Sequence, residues 1–265
     1  MKKFLAVSAL TGTMLFNSAA AAPPVERETI NQIALLQSLT LGYFDGSVTV
    51  SELKTLGDTG IGTFNGLDGE LIMLDGVVYR ANQECEINVV DNSVTIPFSN
   101  VTFFDADYSF SFKNVRDKTL LEDSLNKIVN RLGKNDFYMI KLTGDFNEIL
   151  VRSEAGQVEP YPTLVEALKT QKELKLENVS GTIVGLYCPP QMQSLNTVGW
   201  HFHFVTEDKK FGGHVLGLNL KSGEVHVDKT ENFNMKLPAK ANFNRLNLGQ
   251  DLSADIHKAE NESRK

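Results

Sequence analysis

The chain has 265 residues, 42% of them apolar, and a formal net charge of −7. Its 26 lysine and arginine residues are scattered and form no basic stripe or arm, so the sequence predicts no nucleic-acid partner. No stretch reaches the roughly 18 apolar residues that a membrane-spanning helix needs, so no membrane span is predicted either.

Residues 1–22 have the composition of a secretory signal peptide. Two lysines follow Met1, a mostly apolar run extends from Phe4 to Phe16, and small residues end the segment. This order of basic, apolar and small residues is typical of signal peptides. We therefore predict cleavage near residues 21–22 and a secreted or periplasmic location. The mature chain of about 240 residues fits one large domain or two small ones.

The first half of the mature chain is predicted to contain mainly strands. Leu71–Tyr79 is a predicted hairpin, because Asp75-Gly76 is a preferred two-residue turn between strands. Val94–Phe104 is a predicted strand region that Pro97 interrupts. Two further predicted segments are a helix or helix-like entry over Glu26–Leu41 and a glycine-rich block over Gly57–Glu70.

The second half begins with the strongest predicted helix, Lys118–Leu132. Its apolar residues recur at helical spacing, and Gly133 is a typical helix stop. The remaining predictions are strands at Phe137–Leu142, Val179–Tyr187 and Glu224–Val227, a helix from Pro162 to Lys169, and a polar tail or short helix over Asp251–Lys265.

Strands dominate these predictions, which favours a mixed α+β fold with substantial antiparallel sheet. Pro160 and Pro162 interrupt the chain, so a division into residues 23–160 and 161–265 is predicted. No long linker marks this division, and we expect the two parts to pack tightly.

Three of the chain's five histidines, His201, His203 and His214, fall within one short stretch. The stretch has the pattern of two strands and a turn. Side chains alternate along a strand, so His201 and His203 share one face, whereas Phe202 and Phe204 point the other way, into a core.

A turn centred at residues 208–209 would place His203 directly opposite His214. Directly paired residues hold their Cβ atoms roughly 4.5–5.5 Å apart on one face of a sheet. Three imidazoles on one face can converge on one metal ion, which fits zinc with an open fourth position. The sequence therefore predicts a catalytic metal site on this hairpin.

Other polar residues carry weaker signals. By local spacing alone, Glu70 and Arg152 are expected on the surface, at the start and the end of apolar strands. Two interpretations remain open for Cys85 and Cys188: one disulfide in an exported protein, and two separate buried thiols.

Several dispersed sequence blocks occur in order along the mature chain. They are Gly60–Glu70 with Leu74–Tyr79, then Pro97–Phe98 with Val101–Phe104, then Asp136–Gly144 with Val151–Ser153, and finally Gly181–Gly185 with the hairpin Gly199–Leu216. In content and order these blocks resemble the α-acetolactate decarboxylase family over nearly the whole mature chain.

The resemblance implies roles for particular residues. The family's zinc ligands correspond to His201, His203 and His214, its first active-site glutamate to Glu70, and its arginine to Arg152. A second active-site glutamate near the C-terminus corresponds best to Glu260, with Glu262 as the alternative. The implied cofactor is Zn²⁺, with other divalent metals as substitutes.

The resemblance also implies a fold and an activity. The fold is an N-terminal mixed β-sheet with helices, packed against a smaller C-terminal β-sheet that carries the metal, in a homodimer. The activity is decarboxylation of a small molecule, 2-acetolactate (2-hydroxy-2-methyl-3-oxobutanoate), to (R)-acetoin and carbon dioxide through a zinc-stabilised enediolate.

Three alternatives stay open at this point. A cupin-like metal enzyme would use His201 and His203 followed by Glu207, although Leu195 stands where that motif has glycine. A zinc-dependent hydrolase is the second alternative. The third is a secreted, non-enzymatic zinc-binding protein, in which a fourth protein ligand would close the site.

Overall fold

The structure, a computed structural model, describes residues 26–261, apart from the side chains of residues 257, 260 and 261. The predicted signal peptide, residues 1–22, lies outside the described part of the chain. Between residues 26 and 261, no helix is both long and apolar enough to cross a membrane.

Strands exceed helices in the described residues, which confirms the predicted mixed α+β class. The strands are β1 (Thr29–Ile33), β2 (Val48–Thr49), β3 (Thr59–Thr63), β4 (Glu70–Leu74), β5 (Val77–Ala81), β6 (Ile87–Val89), β7 (Thr95–Ile96), β8 (Phe98–Thr102), β9 (Tyr108–Val115), β10 (Phe137–Ser153), β11 (Lys172–Cys188), β12 (Gly199–Thr206), β13 (Gly212–Thr230) and β14 (Asn232–Lys236). The helices are α1 (Leu36–Thr40), α2 (Val50–Leu53), α3 (Lys118–Leu132), α4 (Leu164–Ala167) and α5 (Ser253–Asn261).

The first sheet is mixed and has seven strands in the order β14-β1-β8-β3-β4-β5-β6. β1 pairs with β14 in parallel, and the other neighbours pair antiparallel. β4 and β5 are joined by Asp75 and Gly76, with φ of 51° and 77°. Two consecutive positive φ values are those of a type I′ turn, whose twist matches paired strands, so the predicted hairpin is confirmed.

The second, five-stranded sheet is built on β10, β11, β12 and β13, which pair antiparallel in a closed ring, and β9 adds to β13. Phe202 and Phe204 belong to the core of this sheet, as predicted. α3 covers the same core with Leu121, Leu125 and Val129. The bounds of α3 are those predicted, because the Asp117 side chain caps its start by accepting from Leu120 N at 2.8 Å.

The two sheets pack against each other through a second apolar core. It contains Ile61 and Ile72 from the first sheet and Met139, Val184 and Leu186 from the second. The sheets interleave along the chain, since β14 joins the first sheet whereas β9 and β10 join the second. A division near residue 160 stays a prediction.

The prediction of a helix over Glu26–Leu41 is wrong for most of its length. Thr29–Ile33 forms β1, and every residue of β1 is buried, because the strand lies between β14 and β8. Only Leu36–Thr40 is α-helical. A short, partly apolar run does not separate helix from strand, and pairing on both edges favours the strand here.

The strands predicted at Phe137–Leu142 and Val179–Tyr187 are confirmed, but both are longer than predicted. β10 and β11 have 17 residues each, because they pair with each other along almost their whole length. The extension places Arg152, a predicted site residue, within β10.

Cys85 and Cys188 are both buried and free, in agreement with the interpretation as two separate thiols. They belong to different apolar cores. Burial raises the pKa of the Cys85 thiol to about 12 and also raises the pKa of Cys188. Both side chains are therefore protonated, inert parts of the interior at neutral pH.

Candidate metal centre

The three clustered histidines lie on the hairpin of β12 and β13. His203 pairs directly with His214 across the two strands, which is the predicted register. His201 lies two residues before His203 on β12 and therefore on the same face. His203 and His214 are buried, and His201 is partly buried.

The ring nitrogens of these histidines converge. Nε2 of His201 lies 3.1 Å from Nε2 of His203 and 3.0 Å from Nδ1 of His214. One ligand atom from each ring lies within 4.8 Å of the others. Two nitrogens about 2.0–2.1 Å from one tetrahedral zinc ion lie roughly 3.3–3.4 Å apart. The three imidazoles therefore fit a single small ion with little movement.

The surroundings keep the three rings neutral. Burial lowers the pKa of His201 to about 3, and it lowers the pKa of His203 and of His214 well below the ordinary value. The positive charge of Arg152 lowers all three further. Neutral imidazole is the form that binds a metal ion.

The ring of His203 is oriented by the first sheet. Its Nδ1 lies 2.8 Å from the backbone oxygen of Leu71 in β4. A carbonyl oxygen can only accept, so Nδ1 carries the proton and Nε2 presents its lone pair to the other histidines. This contact also joins the two sheets at the site.

Arg152 and Glu70 lie beside the histidines. Arg152 in β10 is the direct cross-strand partner of His214, and Glu70 is the first residue of β4. Nη1 of Arg152 lies 3.3 Å from Oε1 of Glu70, whose Oε2 lies 3.4 Å from Nε2 of His203. Both residues are buried, at 4% and 5% exposure. The surface positions expected from local spacing are wrong, because the packing of the sheets encloses these residues.

Glu154 is a further charged group at the site, and the sequence analysis missed it. It is 1% exposed, and its Oε2 lies 3.4 Å from Nη1 of Arg152. Nη1 therefore lies between two buried carboxyl groups, those of Glu70 and Glu154. Alternation along an extended chain places residues 152 and 154 on the same side, and this spacing is the local signal by which Glu154 could have been found.

The C-terminal helix α5 reaches Arg152 through its backbone. Nη2 of Arg152 donates to the backbone oxygen of Ala259 at 3.0 Å. Glu260 follows Ala259 in the chain, but its side chain lies outside the described part of the structure. Among the groups described from residue 26 to 261, Nε of Arg152 is buried and has no hydrogen-bond partner.

These charged groups line a narrow cavity of about 30 Å³. Its apolar wall includes Leu67 and Phe98 and four leucine side chains from α1, from α4 and from the turn after α4, namely Leu36, Leu39, Leu164 and Leu168. Ile256 and Ala259 of α5 belong to the same apolar cluster. An apolar cover of this kind keeps water from the charged groups and strengthens electrostatic interactions among them.

Comparison with known proteins identifies the family. The model of the alpha-acetolactate decarboxylase family matches residues 30–250. The chain belongs to the α-acetolactate decarboxylase family. Its sequence is 40% identical to the α-acetolactate decarboxylase of Methanosarcina mazei over 233 residues, 88% of this chain and 80% of that protein. It is 36% identical to the α-acetolactate decarboxylase of Brevibacillus brevis over 244 residues, 92% of this chain and 85% of that protein.

The fold is also that of the α-acetolactate decarboxylases. A crystal structure of the enzyme from Bacillus subtilis strain 168 is similar with a TM-score of 0.85 and 36% sequence identity, covering 88% of this chain and all of that chain. The family inferred from the sequence blocks and the mixed architecture are both confirmed.

In this α-acetolactate decarboxylase family member, five of the six predicted site residues lie together. The three histidines, Glu70 and Arg152 occupy one region between the sheets. The sixth, Glu260, is described by its backbone alone. His226 lies on β13 with 44% of its side chain exposed, away from this group.

Proposed function

We propose that the protein decarboxylates 2-acetolactate to (R)-acetoin and carbon dioxide with a divalent metal ion, most suitably zinc. The observation that carries the proposal is a cluster of three neutral imidazoles, two of them buried and one partly buried, next to a buried arginine, in a member of the α-acetolactate decarboxylase family. Three histidines with a remaining open position are the ligand set of catalytic rather than structural zinc.

Arg152 binds the carboxylate of the substrate in this proposal. Its guanidinium is always charged and offers a planar fork of donors. Nη1 is occupied by Glu70 and Glu154, whereas Nε has no partner among the side chains and backbone groups that the structure describes. An unpaired buried donor costs free energy, and a carboxylate accepting from Nε would remove that cost.

His201, His203 and His214 are the residues that would hold the ion. When bound, the ion would supply positive charge where negative charge develops on the ketone oxygen during loss of carbon dioxide. Because the rings are neutral, an ion bound to them would keep its full positive charge. The backbone oxygen of Leu71 holds the His203 ring so that Nε2 points toward the other two histidines.

A carboxylic acid must then protonate the carbon that has lost carbon dioxide. The electrons of the broken bond remain on the substrate as an enediolate, and protonation on one face gives a single acetoin enantiomer. Glu70 and Glu260 are the two candidate donors. Glu70 lies 3.4 Å from Nε2 of His203, and Glu260 follows Ala259, whose backbone oxygen accepts from Arg152.

Substrate entry requires movement of the apolar cover. A cavity of about 30 Å³ has room for little more than one or two water molecules. The substrate is larger, so in this proposal the leucines of α1 and α4 that line the cavity shift when the substrate reaches Arg152.

The test is conversion of racemic 2-acetolactate by the purified protein, with chiral chromatography of the product. We expect (R)-acetoin from the wild-type protein and no acetoin above the spontaneous rate from His203→Ala. His226→Ala is the matched control, because His226 is exposed on β13 and should keep full activity. A metal-loaded wild-type protein that forms no acetoin would reject the function, and full turnover by metal-free His203→Ala would reject the role of the metal.

We further propose that residues 1–22 direct export to the periplasm or the medium, and that the protein is a homodimer. The order of basic, apolar and small residues supports the first proposal. The second is what the resemblance to the α-acetolactate decarboxylase family implies. N-terminal sequencing of the mature protein and light scattering on a sizing column test them: an intact Met1 or a monomeric mass would reject the respective proposal.

A further inference from the structure

Glu154 takes no part in the reaction proposed for this site, yet it is deeply buried at the cavity. It is 1% exposed and lines the cavity together with Glu70 and Arg152. A buried carboxylate is costly unless it is paired and hydrogen-bonded. The Arg152 guanidinium, 3.4 Å from Oε2 of Glu154, supplies such a pairing.

The contacts of Arg152 define the orientation of its guanidinium. Nη1 has two hydrogen atoms, and two carboxyl groups approach it, from Glu70 at 3.3 Å and from Glu154 at 3.4 Å. Glu70 belongs to the first sheet, whereas Glu154 directly follows β10 of the second. Nη2 is held in addition by the backbone oxygen of Ala259 at 3.0 Å. Among the described groups, the planar group is thus fixed from three sides, and Nε has no hydrogen-bond partner.

We propose that Glu154 is a positioning residue that holds Arg152 so that Nε and Nη2 face the carboxylate of the substrate. This inference rests on the proposed function and deepens it. Two parallel N–H···O bonds require a defined orientation of the guanidinium plane, so a small rotation loses one of them.

The orientation of the carboxylate has consequences for rate as well as affinity. The carbon–carbon bond that breaks must stand out of the plane of the ketone, so that its electron pair can pass into the carbonyl system. Arg152 sets this angle through its hold on the carboxylate. A misplacement of about 1 Å in such an arrangement can reduce the rate about a hundredfold.

Glu154→Gln tests the proposal, because glutamine has the same size and still offers an oxygen to Nη1 but lacks the charge. Two unreactive probes are titrated calorimetrically into the zinc-loaded protein: 2,3-dihydroxy-2-methylbutanoate, which has a carboxylate, and butane-2,3-diol, which has none. We expect Glu154→Gln to weaken binding of the acid by about tenfold to a hundredfold, which is the effect of losing one hydrogen bond to a charged group. Binding of the diol should be unchanged, and kcat/KM for 2-acetolactate should fall.

The matched control is Glu148→Gln. Glu148 lies on β10, the strand that Glu154 directly follows, but it forms an exposed ion pair with Lys175 at 2.6 Å, so its substitution should leave both probes and the kinetics as in the wild type. Equal weakening of both probes by Glu154→Gln would indicate a merely structural role and overturn the proposal. Unchanged binding of both probes would overturn it as well.

A second variant keeps the test decisive if Glu154→Gln does not fold. Glu154→Asp retains the charge but is one methylene shorter, so it should show the same selective loss for the acid, and wild-type affinity for the acid would overturn the proposal. The results distinguish this proposal from the proposed function. A wild-type protein that forms no acetoin rejects the proposed function. An active wild-type protein, together with Glu154 variants that bind the acid as well as the wild type does, rejects only the role of Glu154.

Discussion

Replacing Arg152 by lysine keeps one positive charge at the site and removes the planar fork. In the structure, the guanidinium contacts three groups at once, since Nη1 faces Glu70 and Glu154 and Nη2 donates to Ala259. A lysine has a single terminal nitrogen and cannot reach all of them. Arg152→Lys therefore separates the effect of charge from the effect of geometry.

The size of the effect of Arg152→Lys follows from the hydrogen bonds that lysine cannot replace. A hydrogen bond to a charged group contributes about 1.5–3 kcal/mol. Lysine can make one bond to the substrate carboxylate where the fork makes two, so about this free energy is lost from the transition state. Since about 1.4 kcal/mol corresponds to a factor of ten, kcat/KM should fall about 10- to 150-fold.

The assay for Arg152→Lys is the initial rate of acetoin formation together with the metal content of the same sample. We expect the loss in kcat/KM with metal content equal to that of the wild type. Arg131→Lys is the control, because Arg131 is exposed on α3 and its substitution should leave the kinetics unchanged. Unaltered kinetics in a folded, metal-loaded Arg152→Lys protein would refute the role of Arg152 in substrate binding.

Two further substitutions test the packing next to Arg152 and the pH dependence of the free energy of unfolding. Gly213→Ala should lower the melting temperature by at least about 4 °C, because Gly213 has φ of 149° and an added Cβ would collide with the backbone oxygen of Arg152. Gly217→Ala on the same strand is the control, because an added Cβ there would lie 3.8 Å from its nearest neighbour, and this variant should melt like the wild type. Equal melting temperatures of the two variants would contradict this reasoning. Burial raises the pKa of Asp228 from 3.8 to about 7, so the folded state binds this proton more tightly than the unfolded state. The resulting stabilisation of the folded state is complete below about pH 4 and is lost as the pH rises from there through about 7. Urea unfolding of Asp228→Asn should therefore show a stability gain over the wild type that grows between pH 4 and pH 7; a gain independent of pH would be contrary evidence.

Local patterns were sufficient to predict the hairpin that carries the three histidines, because a turn fixes the register of the strands that it joins. The spacing of His201 and His203 places them on one face, and equal distances from the turn bring His214 opposite His203. The helix Lys118–Leu132 was also predictable from local features, because its apolar spacing, its Asp117 cap and Gly133 all lie within or next to the helix in the sequence.

The rest of the site depends on contacts between segments far apart in the chain. Nothing local indicates that Glu70 and Arg152 are buried, and only the family resemblance pointed to them as site residues. Glu154 was missed because a glutamate after a strand is usually exposed, and its burial comes from the packing of the two sheets. β1 was mistaken for a helix because its partner β14 lies 203 residues later in the chain.

The central claim is that His201, His203 and His214 hold the metal ion on which the reaction depends. The most direct test removes the metal with a chelator, restores zinc in steps, and measures bound metal and acetoin formation in the same samples. We predict one ion per chain, turnover that rises in proportion to occupancy, and neither metal nor turnover in His203→Ala. Full turnover by metal-free protein, or undiminished metal binding by His203→Ala, would contradict the claim.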